Sequence, residues 1–207
     1  MIELIRGWLF SNSIELLGAI LGLLYIFFSI RQSILTWPTG LFTSMLYIWV
    51  FYKSGFYADM GLQVYYVVIS IYGWYYWLKG ANNKRNVSED TNAKVRKTPI
   101  GLAFKLILAA LIIYGLLLFI LIKFTDSTVP FMDSLTTALS IVATWMLAKK
   151  YIEHWLIWIF VDALSAGLYV YKNLWPTVLL FAVYTIMAVI GYKEWKKDIS
   201  KQFETEA

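Results

Sequence analysis

The chain has 207 residues, of which 60% are apolar and 15% charged. Water-soluble domains run about 45–50% apolar and about 25% charged, so an ordinary soluble fold is excluded. With no cysteine and one histidine, a disulfide framework, a thiolate or multi-histidine metal site and a cysteine nucleophile are excluded as well. The net charge of +5 is explained by its placement between spans, so no nucleic-acid partner is implied.

The predicted elements are seven membrane-spanning helices, each needing roughly 20 residues. The first runs from Ile14 to Ile30. It lacks a basic leader and a small-residue cleavage site, so it reads as a span rather than a signal peptide. The second covers Trp37–Tyr52 and the third Met60–Leu78. The polar stretch 79–99 has no apolar periodicity and reads as a flexible cytoplasmic loop. The fourth span, Ile100–Ile122, is mostly Leu, Ile, Ala and Gly, and the fifth, Ser134–Ala148, follows Pro130. The sixth is Ile152–Val170 and the seventh Pro176–Tyr192. Pro176 suits a helix start, where a missing N–H costs little. Residues 196–207 read as a cytoplasmic tail.

Seven spans place thirteen basic residues on one side: Arg31, Lys79, Lys84, Arg85, Lys94, Arg96, Lys97, Lys149, Lys150, Lys193, Lys196, Lys197 and Lys201. The other side holds four: Arg6, Lys53, Lys123 and Lys172. The side rich in Lys and Arg is cytoplasmic. The expected topology therefore has the N-terminus outside and the C-terminus inside.

Sliding the chain on itself gives one gapless offset, 118 residues. It pairs Trp37 with Trp155, Phe42 with Phe160, Leu46 with Leu164, Tyr66 with Tyr184, Gly73 with Gly191 and Trp77 with Trp195. Glu15 pairs with Asp133, and Arg31–Gln32 with Lys149–Lys150. The expected fold is thus an all-α membrane protein in a 3+1+3 arrangement. Three-helix repeats occupy 13–77 and 131–195, and the helix at 100–122 links them. Three spans are an odd number, so the linker restores the orientation and makes the repeats parallel, as in some transporters.

Span six carries Trp155, Trp158, Asp162, Ser165 and Tyr169 at steps of three and four, hence on one helical face. Asp162 is the only carboxylate well inside a span. Such a group costs roughly 2.5–3.5 kcal/mol on insertion scales unless it meets a partner or water. It reads as a cation-binding or hydrogen-bond-accepting group in a solute path, against an interhelical hydrogen bond that only holds the bundle. A deep Trp158 beside it suits a flat, positively charged ring. Span two repeats the stripe with Trp37, Gly40, Ser44, Tyr47 and Phe51. Span three has Gln63, Tyr66, Ser70, Gly73 and Trp77. Gln63 reads equally as ligand or as interhelical contact. The substrate-binding candidates are Trp158, Asp162, Ser44, Tyr47, Gln63, Tyr66, Ser165, Tyr169 and Tyr184.

Trp8, Trp77, Trp175 and Trp195 lie near span ends and read as interfacial belt residues. Asp59, Asp133 and Glu15 read as helix N-caps. Glu15 with Asp133 is also a candidate extracellular gate. His154 reads as a solvated interfacial residue. No Walker loop, zinc motif or nucleophile elbow is present, and no cofactor or metal is expected.

The run Tyr57-Ala-Asp-Met-Gly-Leu-Gln63 leading to Ile71-Tyr-Gly-Trp-Tyr-Tyr-Trp77 resembles the PnuC-type bacterial vitamin transporters. Tyr151-Ile-Glu-His-Trp155 with Trp158-Ile-Phe-Val-Asp162, and the last span with Gly191 and Trp195, are similar to them as well. The resemblance implies the 3+1+3 bundle, a homotrimer and a bacterial cytoplasmic (inner) membrane location. It also implies facilitated diffusion of nicotinamide riboside, thiamine or riboflavin, with trapping by a cytoplasmic vitamin kinase. Nicotinamide riboside members carry Trp-x-x-x-Asn on span six, where this chain has Trp158 and Asp162. The added negative charge suits a cation. It argues against neutral riboflavin and makes thiamine the preferred substrate over nicotinamide riboside. A membrane-embedded enzyme is the competing class, but the single deep ionisable residue offers no catalytic pair. A seven-helix signalling bundle fits the parallel repeats poorly.

Overall fold

A computed structural model describes residues 13–54, 57–82, 94–171, 173 and 175–206. Among them are seven helices: α1 (Ser13–Ile30), α2 (Thr36–Ser54), α3 (Tyr57–Asn82), α4 (Ile100–Phe124), α5 (Pro130–Ala148), α6 (His154–Tyr171) and α7 (Trp175–Glu206). Four of them, α4 to α7, are long and apolar enough to cross a membrane, and α1 contributes a shorter apolar run, Leu17–Ile30. Helices α2 and α3 are less apolar because Thr36, Thr39, Thr43, Ser44, Gln63 and many tyrosines lie in them. Their exposed apolar residues still form lengthwise stripes: Phe42, Met45, Trp49 and Tyr52 on α2, and Val64, Val68, Ile71, Tyr75 and Leu78 on α3. Those steps of three and four mark one face of each helix.

The chain divides into two compact units, Met1–Leu78 and Lys79–Ala207. In the first, α1 packs on α2. The turn between them is a Schellman cap. The N–H of Ser33 donates to Phe28 O at 2.9 Å and that of Gln32 to Ser29 O at 3.0 Å. Gln32 takes φ 50°, the left-handed conformation such caps require. Thr36 then donates its hydroxyl to Ser33 O at 2.8 Å. Trp37 is fully buried beneath α3, where a Cβ on Gly73 would collide with its ring. Trp77 meets the same indole edge-on, 5.2 Å between centroids at 89°.

In the second unit α5 packs on both α4 and α6, and α6 on α7. The α5–α6 turn is again a Schellman cap. Tyr151 N–H donates to Met146 O at 3.0 Å and Lys150 N–H to Leu147 O at 2.9 Å, with Lys150 at φ 57°. Trp155 is buried against Gly191, whose added Cβ would lie 2.6 Å from the ring. Trp195 stands edge-on to it, 5.8 Å away at 87°. Each of these residues sits 118 positions after its counterpart in the first unit. Neither cap has glycine at its left-handed position, which costs about 1–2 kcal/mol per residue, so packing and hydrogen bonds hold both turns.

Three expectations are corrected here. Trp77 and Trp195 are buried core residues and not interfacial belts. Trp175, by contrast, is exposed, and Trp8 lies outside the described residues. His154 is fully buried, not solvated. Its ring sits 4.6 Å from Trp155 and 4.8 Å from Trp195, and its Nδ1–H donates to Tyr151 O at 2.6 Å. Helix α7 brings Trp195 onto His154: it runs unbroken past Tyr192 to Glu206, where a separate tail was expected.

The stretch 79–99 is also more ordered at its end than a flexible loop. Residue Arg96 forms a parallel bridge to Tyr151. Its N–H donates to Lys150 O at 3.1 Å, and Ile152 N–H donates back to Arg96 O at 3.0 Å. Its guanidinium lies 4.5 Å over the Tyr151 ring, and its Nε donates to Lys149 O at 3.2 Å. The Glu153 carboxylate accepts from Thr98 N–H at 2.9 Å and from Thr98 Oγ1 at 2.6 Å. This strap satisfies backbone groups that the turn leaves free and ties the start of α4 to the α5–α6 turn. Residues 83–93 lie outside the described ones. Helix α4 buries no residue fully, and only Leu102, Leu106 and Ala110 pack against the α5 core around Val142 and Met146.

Candidate functional site

The α6 stripe forms on one face as its spacing requires. Asp162, ninth of the helix's 18 residues, is 5% exposed, and Ser165 is buried one turn further on. Trp158 and Tyr169 are half-buried on the same face. Among the described residues, no lysine, arginine or histidine pairs with the Asp162 carboxylate. A carboxylate so placed accepts hydrogen bonds or attracts a cation, and the indole of Trp158, one turn before it, offers a flat face. Trp155 starts the stripe but is committed to Gly191 and Trp195.

Tyr169 and Tyr184 are linked through a residue that the sequence reading omitted. Phe181 lies 5.1 Å from Tyr169 and 5.7 Å from Tyr184. Its signal was present: Phe181, Tyr184, Ala188, Gly191 and Trp195 repeat the α3 stripe from Gln63 to Trp77 at the 118-residue offset.

In the first unit, Ser44 and Ser70 are buried. Tyr47 stacks on Phe51 at 5.8 Å and 25°, and it lies against α1 where a Cβ on Gly18 would collide with it. Tyr66 neighbours Tyr65 at 5.6 Å, and Gln63 is half-buried. The candidates therefore fall into two sets, Ser44, Tyr47, Gln63 and Tyr66 in one unit and Trp158, Asp162, Ser165, Tyr169 and Tyr184 in the other.

The acidic cap candidates behave differently. The N-cap of α5 is Val129, not Asp133. Asp133 lies in the first turn and accepts from Ser127 Oγ at 2.8 Å, a favourable place for negative charge at a helix N-terminus. Glu15 and Asp59 have side chains outside the described residues.

The model of one family, described as nicotinamide mononucleotide transporter, matches residues 12–197. The nicotinamide riboside transporter PnuC of Escherichia coli (strain K12) is 25% identical over 206 residues, covering 88% of this chain and 84% of that protein. The riboflavin/roseoflavin transporter RibM of Streptomyces davaonensis is 24% identical over 183 residues, covering 87% and 83%. The fold matches a crystal structure of the vitamin B3 transporter PnuC with a TM-score of 0.72 and 22% identity, covering 96% of this chain and 87% of that one. With nine-tenths of its length inside the family model, this chain belongs to the nicotinamide mononucleotide transporter (PnuC) family.

Proposed function

We propose that this chain is a membrane carrier for a cationic, ring-bearing vitamin, nicotinamide riboside in the first place. The observation that carries the reading is Asp162, buried mid-helix on the face that also presents Trp158, Ser165 and Tyr169. The relative from Escherichia coli carries the name of a nicotinamide riboside transporter, and this moves the preference from thiamine to that vitamin. Thiamine is the second reading, favoured by the carboxylate of Asp162 where the family pattern has asparagine. The polar stripe of α6 contacts the solute through Trp158, Asp162, Ser165 and Tyr169, and Ser44, Tyr47, Gln63, Tyr66 and Tyr184 are further hydrogen-bonding candidates.

Transport is facilitated diffusion in the bacterial inner membrane. A cytoplasmic kinase traps the product, and the working form is a homotrimer. The chain acts without catalysis of its own. All seven helices span, in a 3+1+3 order with the N-terminus outside and the C-terminus inside. The apolar outer stripes of α2 and α3 support spans that their average composition understates. Two three-helix repeats are supported by the matched left-handed caps at Gln32 and Lys150 and by the matched pairs Trp37–Gly73 and Trp155–Gly191.

A thermal-shift screen of the purified protein tests the reading. Nicotinamide riboside is expected to stabilise it most, thiamine next, and riboflavin least. Stabilisation by riboflavin alone overturns the cation reading.

A further inference from the structure

The two units differ in which helix supplies the aromatic ring beside the polar stripe. On α6 the ring is Trp158, and 118 positions earlier α2 has Gly40. That glycine is not an empty place. A Cβ built on it would lie 2.9 Å from Tyr25 Cε2 and 3.2 Å from Ser70 Oγ. Tyr25 of α1 thus lies across α2 at the level where α6 carries its own tryptophan. The counterparts of Tyr25 and Ser70 in the second unit are Ala143 and Ala188, both buried, so no ring enters there from α5.

A second contact fixes the arrangement. Tyr47 of α2 lies against Gly18 of α1. Gly18 and Tyr25 are seven residues apart, as are Gly40 and Tyr47. The two helices therefore exchange a tyrosine for a glycine at two levels about 10 Å apart. Buried Ser44 lies on α2 between those levels. The second unit has Thr136 and Ser165 at the places of Gly18 and Tyr47, so the exchange does not recur there.

We propose that Tyr25 is a specificity-determining residue. Its ring takes the volume beside the α2 stripe that a ligand ring would otherwise fill, and it restricts the carrier to ligands without a fused ring system. Ser44 and Ser70 are left to meet polar groups of the solute. This rests on the carrier reading given above.

The test measures binding of nicotinamide riboside, with one aromatic ring, and riboflavin, with three fused rings, to purified full-length protein. Tyr25→Ala is expected to raise the affinity for riboflavin relative to nicotinamide riboside by about tenfold or more, the scale of pocket-size discrimination. Tyr25→Phe is expected to keep the parent ratio. Tyr25→Leu, which keeps apolar contact without a ring, is expected to shift the ratio in the same direction and serves if Tyr25→Ala does not accumulate. Gly40→Ala is expected to lower Tm in the parent and to be tolerated in the Tyr25→Ala background. An unchanged ligand ratio in Tyr25→Ala and Tyr25→Leu overturns the proposal while leaving the carrier reading intact. A parent protein that binds neither of these vitamins nor thiamine overturns the carrier reading and this inference with it.

Discussion

Replacing Asp162 by asparagine removes one negative charge from the middle of α6 and keeps the side chain's shape. The carboxylate is 5% exposed, and among the described residues no cationic side chain pairs with it. A bound cationic ring is then the natural source of positive charge. At about 4 Å and an effective dielectric of about 20, the attraction is about 4 kcal/mol. Stripping water from the ligand's charge offsets part of this. The remainder is about 1.5–3 kcal/mol, the range for hydrogen bonds to charged groups. Asp162→Asn is therefore expected to weaken a cationic vitamin by about tenfold to a hundredfold in Kd, read by titration of the purified protein. Neutral nicotinamide, which keeps the ring without the charge, loses far less. Trp158→Ala weakens both, because stacking does not depend on net charge alone. If Asp162→Asn binds the cation as tightly as the parent, Asp162 serves only to hold helices together.

Gly73→Ala and Gly191→Ala each force a methyl group into an indole. Both are expected to destabilise by about 1–3 kcal/mol, the cost of overpacking a close-packed core, as a lower Tm in detergent; an unchanged Tm for either would show that Trp37 or Trp155 can yield. Glu153→Ala removes both bonds to Thr98. It is expected to cost about 1–2 kcal/mol, given charged hydrogen bonds at a partly exposed site, and to speed amide exchange at Arg96 and Thr98; protection equal to the parent's would mean the strap is held otherwise. A reporter active only in the cytoplasm is expected to be active at the C-terminus and silent at the N-terminus, as the thirteen-to-four basic bias requires; the opposite pattern reverses the topology.

Much of the fold was legible because a helix face leaves a three-and-four spacing in the sequence. The α6 stripe from Trp155 to Tyr169 appears on one face of one helix. The offset pairing of Arg31–Gln32 with Lys149–Lys150 marks two turns closed by the same hydrogen bonds. What escaped depends on contacts between distant segments. Trp77, Trp195 and His154 lie near span ends, where position alone suggests an interface. Trp195 and His154 are buried together because α7 continues unbroken and packs on α6, and Trp77 because it meets Trp37; local sequence states neither. The strap at 94–98 is polar and aperiodic, and its order comes from the Lys149 carbonyl and the Glu153 carboxylate, more than fifty residues away. Tyr25 sits in an otherwise apolar run, and only the missing side chain of Gly40 on another helix reveals its place. Asp133 lies in the first turn of α5 and not at its N-cap, and an acidic first turn and a cap leave the same mark in sequence.

Passive carriage of a cationic vitamin is read directly as flux through proteoliposomes. Vesicles holding the purified protein and loaded with unlabelled nicotinamide riboside are given a trace of the labelled vitamin outside, with no ATP and no ion gradient. Rapid uptake by counterflow is expected, with no net accumulation of the vitamin above the outside concentration when a proton or sodium gradient is imposed on unloaded vesicles. Accumulation driven by either gradient, or no counterflow of nicotinamide riboside or thiamine, would contradict it.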